Sequence, residues 1–139
     1  MISNTAITSL LLRLALAGGF LSAVASRTGL WGKQSSGWDA FLKYTAQVNS
    51  FMPSTAIPAI AISSTILETT LACLLLLGYK TSLVAVAAGT LTLFFACAMA
   101  WSFGWKEVLD YSVLAFSAGS FLLASVPTSR WSLDYLLQR

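Results

Sequence analysis

Glu68 stands alone in a long uncharged stretch. From Thr45 to Leu67 the sequence carries no charged residue, and from Thr69 to Tyr79 it carries none again. A bilayer's hydrocarbon core is crossed by roughly 20 apolar residues, and this stretch is long enough to do so. An ionised carboxylate at that depth costs about 2.5–3.5 kcal/mol on insertion scales. It needs a cationic partner, a water-filled pocket or a proton, and the rest of the chain must supply one of these.

The composition agrees with a membrane setting. Of the 139 residues only 9% are charged while 57% are hydrophobic, and the mean hydropathy is +0.77. Soluble domains are about 25% charged. A chain this small has too much surface to hide so much apolar sequence from water. One polytopic membrane domain over residues 1–139 is expected, with lipid as its surroundings. The net charge of +3 comes from scattered residues. No basic patch interleaved with aromatics points to nucleic acid. The absence of histidine removes the usual ligands of haem, zinc and di-iron centres, so no metal site is expected. Cys73 and Cys97 form no C-x-x-C pair, which argues against a dithiol relay.

Four apolar segments follow one another. The first, 5–26, contains Arg13 and the close-approach pairs Ala15/Gly19 and Gly18/Ser22. Ala23-Val24-Ala25 has the form of a signal-peptidase site, but no basic residue precedes the apolar run and Arg13 interrupts it. The segment is therefore expected to stay as a span. A connection then carries Trp38, Phe41, Leu42, Val48 and Met52 near helical spacing, with Asp39, Lys43, Gln47 and Asn49 between them. It reads either as a short amphipathic helix at the interface or as a loop docked on the helix ends. Spans at 55–77 and 81–103 are joined through Gly78-Tyr79-Lys80, a turn so tight that the two must be antiparallel neighbours. A fourth span, 107–126, opens with Glu107 and Asp110 and stops at Pro127; Trp131, Tyr135 and Arg139 follow as an interfacial tail. The fold class expected is all-α, an antiparallel four-helix integral membrane bundle. Basic residues are balanced between its two ends, so the positive-inside rule assigns no orientation.

Counting about 1.5 Å per residue, Arg13 and Glu68 lie at similar distances from the same end of the bundle. An intramembrane Arg13–Glu68 pair is expected, with Thr65 and Thr69 completing a polar pocket. The same pair also reads as a plain packing device that fixes helix register, with the threonines bonded to their own backbone. A second pair, Arg27 with Asp110, is expected near the water at the opposite end. Cys73 and Cys97 stand at depths too different for a disulfide. No nucleophile–base pair, phosphate loop or carboxylate dyad is visible, so no catalytic residue is assigned. If electrons pass here, a non-covalent carrier such as quinone is the remaining candidate, with no covalent cofactor.

Three stretches resemble DoxX-like small membrane proteins. They are the run from Arg13-Leu14-Ala15-Leu16 through Gly19-Phe20-Leu21-Ser22-Ala23-Val24 to Arg27-Thr28-Gly29-Leu30-Trp31-Gly32, the run Ile66-Leu67-Glu68-Thr69 followed by Leu74-Leu75-Leu76-Leu77-Gly78-Tyr79-Lys80-Thr81, and Asp110-Tyr111-Ser112-Val113. Arg13, Glu68 and Asp110 match the charged positions of that family. The resemblance implies four transmembrane helices in a bacterial cytoplasmic membrane. It also implies kinship with the small membrane subunit of a thiosulfate:quinone oxidoreductase. The cysteine pair of some related redox proteins has no counterpart here. The function expected on these grounds is an accessory or small subunit of a quinone-linked membrane redox system, working with a soluble or membrane redox partner. Arg13 would bind a ligand oxygen, and Glu68 would orient Arg13 or take a proton. A small-solute or proton transport component, and a structural membrane adaptor without ligand, are the alternatives.

Overall fold

A computed structural model describes residues 4–127 and 130–138. Its elements are α1 (Asn4–Thr28), α2 (Trp38–Val48), α3 (Ile57–Leu77), α4 (Thr81–Phe103), α5 (Trp105–Asp110), α6 (Val113–Ser125) and α7 (Leu133–Leu137). Three stretches, Asn4–Thr28, Ser54–Leu77 and Thr81–Phe103, are long and apolar enough to cross a membrane. Their outward faces are apolar too: Leu11, Leu14, Ile66, Leu67, Leu83 and Phe94 are all exposed. Such a surface suits lipid.

The buried residues of α1 include Ala6, Ser9, Arg13, Leu16, Phe20 and Arg27, and those of α3 include Ile57, Ala61, Ser64, Glu68, Leu71 and Leu75. Both sets step alternately by three and four residues, the seam of helices packed at a shallow angle. Three of the chain's charges, on Arg13, Arg27 and Glu68, stand on these inward seams. α1 packs on α3, α3 on α4, α4 on α6, and α6 returns to α1, around a core that includes Leu16, Phe20, Leu71, Leu75, Val84 and Leu123. α4 and α6 are the closest pair. Gly89 on α4 faces Phe121, whose ring lies 3.0 Å from where a Cβ would stand. On α1 the expected close-approach role falls to Gly19, where a Cβ would meet the Phe116 ring at 2.6 Å; Gly18 meets nothing within 4 Å.

The connection after α1 is helical. α2 buries Thr45 and Val48, and it packs across the ends of α3, α4 and α1. It is therefore an amphipathic helix and a cap on the bundle at once, joining the two sequence readings.

The expected fourth helix, 107–126, is interrupted. α5 ends at Asp110, Ser112 adopts a left-handed conformation (φ 54°), and α6 starts at Val113. α6 alone is 13 residues, about 20 Å at 1.5 Å per residue, short of a hydrocarbon core of about 30 Å.

The tail is tied down more firmly than an interfacial tail requires; Arg139 lies outside the described residues. Asp134 accepts hydrogen bonds from the Lys80 and Thr81 N–H groups at 2.6 and 2.7 Å and so caps the start of α4 from a distance. Its own N–H donates to Gly78 O at 3.0 Å. Burial pushes the Asp134 carboxyl up, but the hydrogen bonds from Thr81 and Lys80, with the charge of Arg13, outweigh this and hold it below the ordinary carboxylate range. A carboxyl depressed in the folded state contributes stability above its unfolded pKa, and this is lost as pH falls through the folded value. The melting temperature is expected to fall on acidification from about pH 5 to about pH 3. Asp134→Asn should lower it at pH 7 and flatten that acid limb. Parallel acid limbs for the two proteins in a thermal melt series would remove Asp134 as the cause.

Candidate intramembrane site

Two buried guanidinium groups dominate the polar interior. Arg13, 1% exposed, does not meet Glu68. Each of its three nitrogens donates to a main-chain carbonyl: Nε to Leu75, Nη2 to Leu76 and Nη1 to Trp131, all at 2.8 Å. It closes the end of α3, where the last carbonyls have no helical acceptor role left to fill. Gly78 makes room for it, with φ +66° and an imagined Cβ only 2.5 Å from Arg13 Nη2.

Glu68 instead pairs with Arg27. Arg27 Nη2 donates to Glu68 Oε2 at 2.8 Å, and the two side chains are 7% and 5% exposed. Arg27 Nη1 donates to Thr65 Oγ1 at 2.9 Å, and that hydroxyl donates onward to Ala61 O at 2.8 Å. The Phe41 ring of α2 covers the guanidinium, 3.8 Å from Cζ to the ring centroid. Asp110, the partner expected for Arg27, makes an i,i+4 ion pair with Lys106 on the outer surface. Thr69 bonds its own backbone at Thr65 O and takes no part in the cluster.

The pairing follows from the direction in which helical side chains lean. Every Cα–Cβ bond tilts towards its helix N-terminus. On antiparallel α1 and α3, Arg13 therefore leans towards the end where α3 stops, while Glu68 leans the other way. The two diverge despite similar Cα depth. Arg27 leans inward from the far end of α1 and converges on Glu68. Depth counted on Cα atoms alone misses this. The signal that finds it is the seam: Arg27 follows Arg13 by two heptads and shares its buried face.

The cluster opens onto a cleft of about 280 Å³ with walls from α1 and α6 and a floor from α3 and α4. Glu68 lines it, with Phe20, Ala23, Thr92, Phe95 and Phe116. Phe20 and Phe116 meet edge to face at 5.0 Å. Within this cluster, among the described residues, two hydrogen-bonding capacities are left over. Glu68 Oε1 has no hydrogen-bond partner, and Arg27 Nε is buried without one. A buried polar atom such as Arg27 Nε is rarely left so, and asks for a reason. A second cavity, of about 300 Å³, lies at the opposite end beside Arg13 and Asp134. Three of the five Arg13 N–H donors, one on each nitrogen, are already held by main-chain carbonyls there.

Cys73 and Cys97 are free and turned to the outer surface. Comparison of the chain with protein-family models, with curated proteins and with solved structures finds no match.

Proposed function

We propose that the chain is an integral membrane protein crossing the bilayer four times, α5 and α6 together making the fourth passage, and that it holds a small quinone-type carrier beside Glu68. The observation that carries this reading is a buried carboxylate with one oxygen unpaired, set in the floor of an aromatic-lined cleft. Intramembrane ionisable groups that are not fully satisfied by the protein mark ligand or ion sites. Arg27 pairs with Glu68 and orients it, Thr65 and Phe41 hold Arg27, and the aromatic walls take the apolar body of the ligand. Arg13, which the sequence suggested as the ligand contact, serves the helix ends instead.

The DoxX-like residue runs support an accessory subunit of a quinone-linked redox system in a bacterial cytoplasmic membrane, meeting a redox partner protein. Their Arg13, Glu68 and Asp110 positions divide here into one structural cation, one site carboxylate and one surface ion pair.

The test is co-purification. Protein extracted from native membranes in mild detergent is expected to carry quinone. Ala23→Phe, which fills the cleft without touching a polar group, should strip the quinone while leaving the melting temperature close to that of the parent. Quinone absent from the parent protein, together with uptake of a solute or protons into liposomes under an ion gradient, would replace this reading by transport.

A further inference from the structure

The break in the fourth passage bears on what the cleft can hold. Ser117 Oγ donates to Gly89 O at 2.8 Å, which fixes the register of α6 against α4. Counting from that bond at about 1.5 Å per residue, Ser112 lies within about 3 Å of the midpoint of α4. Counting back from the turn between α3 and α4, Glu68 lies within about 3 Å of the same level. Tyr111 and Val113, on either side of the break, line the cleft with Glu68. A helix leaves its first N–H groups without intrahelical acceptors, and no side chain caps those of α6. A ligand oxygen in the cleft can satisfy them. A half-helix N-terminus at that depth is a donor array with a positive dipole end, the device by which broken membrane helices hold ligand oxygens.

The cleft therefore presents an acceptor, Glu68 Oε1, and a donor set, the start of α6. Its volume of about 280 Å³ falls just below the range of drug-sized ligand pockets, which suits one substituted ring. An ionised carboxylate only accepts hydrogen bonds, and so does a quinone carbonyl. A quinone oxygen turned to Glu68 would set two acceptors against each other. A hydroquinone hydroxyl donates. Resting on the quinone-carrier reading above, we infer that the site selects the reduced form: an aromatic ring whose O–H donates to Glu68 Oε1 and whose other oxygen accepts from the α6 N-terminus.

Anaerobic equilibrium binding of decylubiquinol and decylubiquinone to the detergent-solubilised protein tests this. The parent protein is expected to bind the quinol at least about tenfold more tightly, the scale of a charge-assisted hydrogen bond gained. Glu68→Gln, whose amide can donate to a quinone carbonyl, should cut that preference to less than about threefold. The parent measurement decides the matter even if the variant fails to fold. Equal affinity for the two forms overturns the inference and leaves the carrier site standing. Binding of neither form, or binding of both that Ala23→Phe does not disturb, removes the site itself.

Discussion

Arg27→Met alone or Glu68→Leu alone is expected to destabilise the detergent-solubilised protein by about 3–5 kcal/mol, while the double substitution destabilises it far less. Each single change strands a buried charge, one opposite the 2.8 Å Arg27–Glu68 contact. Removing both removes the need for either, and two apolar side chains suit a membrane core. Thr65 then loses only an accepted bond, since its hydroxyl still donates to Ala61 O. The companion cycle, Arg13→Met with Glu68→Leu, should be additive within about 0.5 kcal/mol, as for groups without shared partners. Arg13 is anchored at Leu75, two turns or about 10 Å along α3 from Glu68. Thermal unfolding of the six proteins gives both coupling energies. Strong coupling between positions 13 and 68 and none between 27 and 68 would reverse the assignment of partners.

Gly78→Ala is the second large effect, expected at about 3–5 kcal/mol, with Gly29→Ala as its control at about 1–2 kcal/mol. Both glycines have positive φ, +66° and +85°. An alanine at either position bears the left-handed backbone penalty. They differ in what surrounds them. A Cβ at Gly29 meets nothing within 4 Å, whereas one at Gly78 falls 2.5 Å from Arg13 Nη2 and 2.6 Å from Ser132 Cβ. Relief requires the guanidinium to leave its carbonyls or the tail to lift away. Equal losses at the two positions would mean that no side chain sits over Gly78.

These two results separate what the sequence discloses from what it hides. The lengths of α1, α3 and α4 follow from long apolar runs that carry few charges, and the stop at Gly78 follows from glycine's tolerance of positive φ. Hydropathy carries that information directly. The interruption at Tyr111–Ser112 does not show, because it needs no proline or glycine; a single serine in the left-handed region suffices. The buried polar cluster was legible by residue and not by partner. Glu68 and Thr65 stand in it, but Arg27 took the place expected of Arg13. Depth along a helix is readable from residue count, whereas the direction a long side chain leans depends on which way its helix runs. Asp134 was invisible for another reason. A cap supplied by a residue 53 or 54 positions away leaves no local motif.

The carbonyl cage around Arg13 also bears on how such a chain is made. Its acceptors lie 62, 63 and 118 residues further along the sequence. When the first hydrophobic segment leaves the ribosome, none of them has been synthesised. That segment cannot settle alone in lipid with its guanidinium bare. It must wait beside the insertion machinery, or near the headgroups, until the hairpin bearing Leu75 and Leu76 arrives. Biogenesis of this protein is therefore expected to proceed by joint insertion of helices and not one helix at a time.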